Sequence, residues 1–485
     1  MGVLASTLIR GLLYAVALLV NAVASVVLVR RLGVQDYALY QTVMKRVTRY
    51  AAGLPGLYGL WLYRYTVQGV RGAAATGLLL SLASGLVAAV VGYSAAAQLG
   101  AQPGTALLAA FASAAMVVWT GVRVAVDAAR PLRVAMAVLM QRLLYSILVL
   151  VLVYFMRLGV GGAFAAPAAS YTAVTILGLL WLRSRGVLVW PGLRRVLGIA
   201  WEWMRRAYVT AIGNAAVVLH ALDVVVAYAL SSSGVVAAFF AITNIFMLVT
   251  EAARNSFVYL QGFVLSTRDY VSAANAVRIA ALLASPLLVY AAVYPLHLVY
   301  LLNPVYSWAA PAAPIAAAAS LTLMIAMGVF NLLAGLVEED GRSGRRLAGL
   351  YSVLLVASAG YLVLLGAGLL LAGTRRGEAI AWALAFLARS LIILILLAVY
   401  APQSIRSVLY RPLLWGLIVY PLLAVLAALV FPPRSAPSPR FWETFWAVAP
   451  SAAGALLLYV ALVLFVDVWA RGLARAALAK LRDRI

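Results

Sequence analysis

The chain has no cysteine, two histidines and only 13 acidic residues among its 485. Without cysteine there can be no disulfide framework and no thiolate metal ligand, and two histidines make a metal site improbable. The sequence contains no Walker P-loop, no H-E-x-x-H, no G-x-S-x-G and no D-x-D pair. We therefore expect a protein that is not an enzyme and that holds no metal or cofactor.

Apolar residues dominate what is present. They make up 66% of the chain at a mean hydropathy of +1.04, and charged residues make up 10%. A soluble domain has about 25% charged residues, so this chain needs a bilayer as its solvent. Its apolar runs are about 20–28 residues long, which suits spanning helices and not the short alternating strands of a barrel. The predicted fold is an all-α polytopic membrane protein.

The apolar runs predict about fourteen transmembrane helices. They cover residues 6–29, 37–63, 73–99, 104–126, 132–156, 160–182, 207–230, 234–263, 276–302, 309–337, 347–372, 378–400, 408–431 and 443–468. Similar turns after the first and seventh spans suggest an internal repeat, which is common in transporters. We predict two six-helix bundles around a central cavity, residues 1–183 and 207–402, with two additional helices and a basic tail in 403–485.

The net charge of +24 is carried almost entirely by arginine in short loops between the spans. No basic domain or aromatic-lined basic groove suggests nucleic acid, so the positive-inside rule explains the charge. We predict a multi-pass protein of the cell membrane with both termini cytoplasmic. In this orientation most loop arginines, Arg278 included, lie on the cytoplasmic side of the membrane. The predicted outer loops hold Arg30, Arg31, Arg157, Arg375, Arg376, Arg434 and Arg440.

The longest predicted inner segment, residues 184–206, forms an amphipathic linker helix between the halves. Its apolar residues recur at helical spacing, with arginines and Trp203 beside them. The stripe consists of Leu193, Val196, Leu197, Ala200 and Trp201.

Ionisable residues within predicted spans mark a pathway or a site, because they are costly in hydrocarbon. The second span has the densest group: Gln41, Lys45, Thr48 and Arg49 fall on one helical face, and Arg46 lies beside it. Three cations at this depth suit a water-filled cavity for an anionic substrate, and arginine suits phosphate in particular. The alternative is a layer of structural ion pairs.

Other intramembrane charges lie in spans 7 and 8. Asp223 has His220 one turn earlier, and we expect it to pair with Lys45, to bind a coupling ion, H⁺ or Na⁺, or to form a structural ion pair between the halves. Glu251 and Arg254 are three residues apart and are expected to pair, or to form a gate.

Two further arginines stand alone in apolar helices. Arg142 is predicted to cap the inner end of the fifth span, with a role in the cavity as the alternative, and Arg389 lies in the twelfth.

Three segments resemble signatures of the Wzx-type polysaccharide flippases, which belong to the multidrug/oligosaccharidyl-lipid/polysaccharide (MOP) exporter superfamily. The first is VRRLGVQDYALY at 29–40, with Ala38 in a position that is usually glycine. The second is Leu222-Asp223 followed by ALSSSGVVAAFF at 229–240, a looser match. The third is LVYLLNPVYSWAA at 298–310, with Asn303 in a glycine position.

The resemblance implies a flippase that moves a lipid-linked oligosaccharide with a phosphate or pyrophosphate head from the inner to the outer leaflet. It implies that Lys45, Arg46, Arg49, Gln41 and Arg254 bind the head group. Asp223, His220 and Glu251 would then serve coupling or gating. Glycosyltransferases of the same pathway are the expected protein partners.

Two alternatives stay open. A multidrug cation antiporter of the same superfamily would favour acids and aromatics in its cavity. A membrane glycosyltransferase or polysaccharide polymerase would need paired carboxylates and a sizeable catalytic loop outside the membrane.

Overall fold

A computed structural model describes residues 3–337 and 343–482, and these residues form helices and no strands. The N-terminal half contains seven α-helices and two π-helical turns. They are α1 (Val3–Arg31), α2 (Val34–Gln41), a π turn (Thr42–Val47), α3 (Thr48–Val67), α4 (Ala73–Gln98), α5 (Pro103–Ala129), α6 (Pro131–Val149), a π turn (Leu150–Phe155) and α7 (Gly159–Ser184).

The rest of the chain continues the same architecture. A connecting helix, α8 (Leu193–Arg205), leads to the C-terminal half. That half comprises α9 (Tyr208–Ala221), α10 (Asp223–Leu230), α11 (Ser233–Thr267), α12 (Tyr270–Val293), α13 (Pro295–Leu302), a 3₁₀ helix (Pro304–Ala312), α14 (Ala313–Leu336), α15 (Ser343–Leu371) and α16 (Arg375–Tyr400). Last come α17 (Gln403–Leu414), a π turn (Trp415–Val419), α18 (Tyr420–Val430), α19 (Phe441–Val466) and α20 (Val468–Arg482).

Within the described residues, twelve helical segments are long and apolar enough to cross a membrane. The prediction of an all-α polytopic protein is confirmed. The two predicted spans outside these twelve correspond to α1 and to the rod formed by α2, its π turn and α3. The rod carries Lys45, Arg46 and Arg49 in its middle, which interrupts its apolar run.

Small residues let the helices of the N-terminal half approach closely. A Cβ on Gly92 of α4 would lie 2.5 Å from Ser113 Oγ and 3.3 Å from the carbonyl oxygen of Ala109, both in α5. Membrane helices gain little from hydrophobic exclusion, so such close backbone packing is a main source of their association.

The connecting helix α8 packs on α3 and α4 through a face that differs from the predicted stripe. Trp203, which was predicted to flank the stripe, is fully buried and stacks on Tyr58 at 6.4 Å between ring centroids. The predicted stripe residue Trp201 is 72% exposed. One apolar face of the helix therefore packs against the protein. A second apolar face, which includes Leu193 and Leu197, suits the bilayer interface.

Helix α12 begins next to an aspartate cap. The Oδ1 atom of Asp269 accepts a hydrogen bond from the backbone nitrogen of Ser272 at 2.9 Å. Hydrogen bonds from the side chain and from the backbone nitrogen of Ser272 stabilise the ionised carboxylate, so they hold the pKa of Asp269 below its usual value.

A buried cluster attaches the last helices to the C-terminal half. Arg278 in α12 pairs with Asp467 at 2.6 Å, and Tyr420 donates to the same carboxylate at 2.7 Å. The guanidinium lies over the rings of Trp415 and Trp469, at 4.6 and 4.3 Å. The prediction that Arg278 is a loop charge was wrong, because α12 extends further toward its N-terminus than the predicted span and buries this residue.

At one end of the bundle, two of the three motif segments hold the halves together. Arg30 donates to the carbonyl oxygen of Leu301 at 2.9 Å and also to that of Tyr300. Asn303 donates to the carbonyl oxygen of Val29 at 2.8 Å. These bonds satisfy carbonyls at the ends of α1 and α13, which have no partner within their own helices.

Candidate functional site

A buried ion pair between Arg46 and Asp223 joins the two halves. The Nε and Nη2 atoms of Arg46 donate to Oδ1 and Oδ2 of Asp223 at 2.8 and 2.9 Å. Asp223 is fully buried, and Arg46 is 8% exposed. This two-pronged geometry is the strongest form of the arginine–carboxylate contact. Lys45 as the partner of Asp223 was therefore wrong, whereas the alternative of an ion pair between the halves is the one observed.

The π turn from Thr42 to Val47 explains the error. In a π turn the backbone bonds span five residues, so the side chains after it are rotated relative to an uninterrupted α-helix. Thr48, which was predicted to share a face with Lys45, points instead toward α5, where its Oγ1 lies 2.9 Å from Ser113 Oγ. That rotation also directs Arg46 toward the C-terminal half.

Asp223 is held by its own half as well. The hydroxyl of Tyr361 donates to Oδ2 at 2.9 Å, and the backbone nitrogen of Val224 donates to Oδ1 at 2.8 Å. Trp382 Nε1 in turn donates to the Tyr361 oxygen at 2.7 Å. Together with the two bonds from Arg46, the carboxylate accepts four hydrogen bonds.

Sequence reasoning missed Tyr361 and Trp382, because neither is charged and both lie in apolar helices. The available signal was indirect. Buried tyrosine and tryptophan need partners for their polar atoms, so a buried acceptor near each of them is expected.

A second contact between the halves joins Arg49 and Glu251. The Nη2 atom of Arg49 lies 3.5 Å from Oε1 of Glu251, and both side chains are about one quarter exposed, at 24% and 28%. Glu251 thus contacts a cation of the other half. The side chain of Arg254 lies outside the described residues.

The halves enclose a cavity with two adjoining parts. The part beside the C-terminal half has a volume of about 40 Å³, and the part beside the N-terminal half about 120 Å³. Lys45, Arg49 and Glu251 line both parts. The predicted head-group residue Gln41 also lines the larger part.

The other predicted polar residues lie around this cavity. The ring of His220 is 5.0 Å from that of Tyr361 and borders the smaller part. Arg142 lines the larger part and donates to Oδ1 of Asn21 at 2.9 Å. It was predicted to cap a helix end, but it lies well inside α6. Arg389 donates weakly to Ser358 at 3.4 Å.

The charge of the lining is strongly positive. Among the described lining residues, Glu251 is the one acid. Besides Arg46, which lines the smaller part and is neutralised by Asp223, the lining cations are Lys45, Arg142 and Arg49, which lies 3.5 Å from Glu251. No group of three metal-ligating side chains occurs in the described part of the chain.

The fold resembles those of solved transporters. An outward-facing multidrug resistance MATE family transporter of the MOP superfamily matches with a TM-score of 0.57 at 15% identity, over 83% of this chain and 95% of that one. A MOP superfamily transporter from Pyrococcus furiosus, whose binding pocket is described as having reverse polarity, matches with the same TM-score and identity over 83% and 96%. An inward-facing MATE conformation gives 0.55 at 15% identity, over 83% and 98%.

No protein-family model matches the chain, and no curated protein matches it. The structural matches cover nearly the whole length of the transporters compared. The chain has the fold of the MOP superfamily transporters, with two six-helix halves.

Proposed function

We propose that this protein transports an anionic lipid-linked sugar across the membrane by alternating access. The ligand would be a polyprenyl phosphate or diphosphate that carries an oligosaccharide. Its phosphate would lie against Lys45 and Arg49, where the two parts of the cavity meet.

The positive cavity carries this proposal. Lys45, Arg49 and Arg142 line it against the single described acid, Glu251. Cations inside a membrane protein cost free energy unless an anion or water compensates them. A phosphate group supplies that compensation, and arginine offers two parallel donors to it.

One of the comparisons supports the proposal, because it concerns the charge of a binding pocket. The Pyrococcus furiosus transporter of this fold is described as having a binding pocket of reverse polarity that suggests a different function. A cavity with three cations and one described acid is likewise poorly suited to a cationic drug. The three motif segments that resemble Wzx-type flippases point the same way.

Asp223 is the proposed coupling residue. Its carboxylate is occupied by Arg46, Tyr361 and Val224, so a proton or Na⁺ would bind after Arg46 has moved away. Separation of the halves at this pair would thus be linked to ion entry.

A flipping assay in reconstituted vesicles tests the proposal. We expect Lys45→Gln and Arg49→Gln together to lower the rate of polyprenyl-diphosphate-sugar movement by tenfold or more, because each charge-assisted contact contributes about 1.5–3 kcal/mol. Arg185→Gln, which removes an exposed loop charge, is the control and should leave the rate unchanged. Full flipping by the double variant would contradict the proposal.

A multidrug antiporter is the second candidate, because solved MATE structures share the fold. Vesicles loaded with a cationic dye test it directly. Dye efflux that survives or increases when Lys45 and Arg49 are neutralised, without any lipid flipping, would favour the antiporter.

A further inference from the structure

We propose that the larger part of the cavity is a subsite for a single sugar ring, located between α1, α2, α6 and α7 of the N-terminal half. This inference rests on the proposed function and adds a place for the uncharged portion of the ligand. Its defining residues are Asn21, Gln41, Gln141 and Tyr171.

Three buried carboxamides line this part of the cavity. Asn21 is 5% exposed, and Gln41 and Gln141 are each 3% exposed. Burying an amide costs free energy unless its donors and acceptors find partners. The three come from three different helices and line one cavity.

Gln41 shows that a partner is missing. Its Oε1 atom is buried and accepts no hydrogen bond from any described residue. Gln141 makes one long bond, 3.3 Å to Ser170 Oγ. A buried acceptor beside an open cavity is suited to a hydroxyl or amide donor from a ligand.

The chemistry of the lining matches a sugar. A carboxamide can both donate and accept, which is what hydroxyl groups on a ring require. Tyr40, Tyr145 and Tyr171 add aromatic surface for the apolar face of the ring. The hydroxyls of Tyr40 and Tyr145 bond to each other at 2.8 Å, which leaves their rings fixed in place.

The location of the larger part, next to the proposed phosphate contacts, also supports a sugar subsite there. Lys45 and Arg49 lie at the junction of the two parts, so a phosphate bound there would place its attached sugar in the larger part. Arg142 borders that part, held by Asn21 at 2.9 Å. The volume of about 120 Å³ is below the roughly 300–1,000 Å³ of whole-ligand sites, so one ring fits and a longer glycan would extend beyond it.

The test compares two lipids on the purified full-length protein: a polyprenyl diphosphate and the same lipid carrying one N-acetylhexosamine. We expect Gln41→Leu and Gln141→Leu each to weaken binding of the sugar-bearing lipid about threefold to tenfold, the cost of one lost hydrogen bond. Binding of the sugar-free lipid by Gln141→Leu should stay unchanged, which also reports that this variant is folded. Gln98→Leu, an exposed change on α4, is the matched control.

Two results would overturn the subsite. Equal weakening for both lipids would make the amides structural, and no weakening for either would leave them outside the ligand's reach, filled by water. The proposed function fails separately, if the unmodified protein binds neither lipid or if Lys45→Gln with Arg49→Gln leaves both affinities unchanged.

Discussion

Arg46 of the N-terminal half and Tyr361 of the C-terminal half donate to the same carboxylate oxygen, Oδ2 of Asp223, each at 2.9 Å. One donor belongs to the opposite half, and the other belongs to the same half as Asp223. If the halves separate here, Tyr361 and Val224 still hold the carboxylate, but its charge loses its counterion.

The Arg46–Asp223 pair should be a large contributor to stability. Asp223→Asn or Arg46→Gln leaves one buried charge without its partner, and we expect each to lower the free energy of unfolding by about 3–5 kcal/mol. The double variant should lose less than the sum of the two. Thermal unfolding in detergent measures this, and Glu443→Gln, which breaks the exposed pair with Arg440, should have no measurable effect. Additive losses would show that the pair is not coupled.

Tyr361→Phe is a finer test of the same cluster. It removes one donor to Asp223 and leaves Trp382 Nε1 without its acceptor, so we expect a loss of about 1–3 kcal/mol. The comparison is Tyr400→Phe, whose exposed hydroxyl bonds to the carbonyl oxygen of Arg346. Equal small effects of the two changes would argue against a special role for Tyr361.

Much of the architecture could be predicted from the sequence, because apolar runs of membrane length leave few options besides helices. The buried acids Asp223 and Glu251 were also found, since charge in such a run stands out. Their partners were not. Lys45 was predicted as a partner of Asp223, and the π turn that contains Arg46, the observed partner, has no simple sequence pattern.

The cluster around Arg278 should fix the last helices in place. Arg278→Gln leaves the carboxylate of Asp467 buried without a cation, and we expect a loss of about 3–5 kcal/mol with faster protease cleavage between α18 and α19. Arg411→Gln, on the exposed face of α17, is the matched control. Limited proteolysis followed by mass spectrometry provides the readout. Cleavage rates that match those of the control would contradict this role.

Residues such as Arg278, Asp467, Tyr361 and Trp382 escaped sequence analysis for a shared reason. Their partners lie more than 20 positions away along the chain. These partners meet only in the folded structure, so the sequence around each residue does not indicate which residue it contacts.

Because Gly56 has no side chain, α3 of the N-terminal half can pack closely against α9 of the C-terminal half. A Cβ at this position would lie 2.8 Å from Cγ of Asn214, whereas one at Gly59 would meet Val124 at an ordinary 3.9 Å. We expect Gly56→Ala to cost about 1–3 kcal/mol and to push the two helices apart, and Gly59→Ala to do neither. The absence of native cysteine allows spin-label pairs across α3 and α9 to measure the separation. Unchanged distances in Gly56→Ala would contradict the prediction.

The π turn between Thr42 and Val47 lies in the middle of the rod formed by α2, this turn and α3. It rotates the side chains of α3 about the helix axis relative to those of α2. Deleting one residue within it would restore a continuous α-helix and turn every side chain on one side of the deletion by about 100° relative to the other. Arg46 and Asp223 would then no longer share a direction. The angular offset of a single turn thus decides which cation meets the carboxylate and which cations face the cavity.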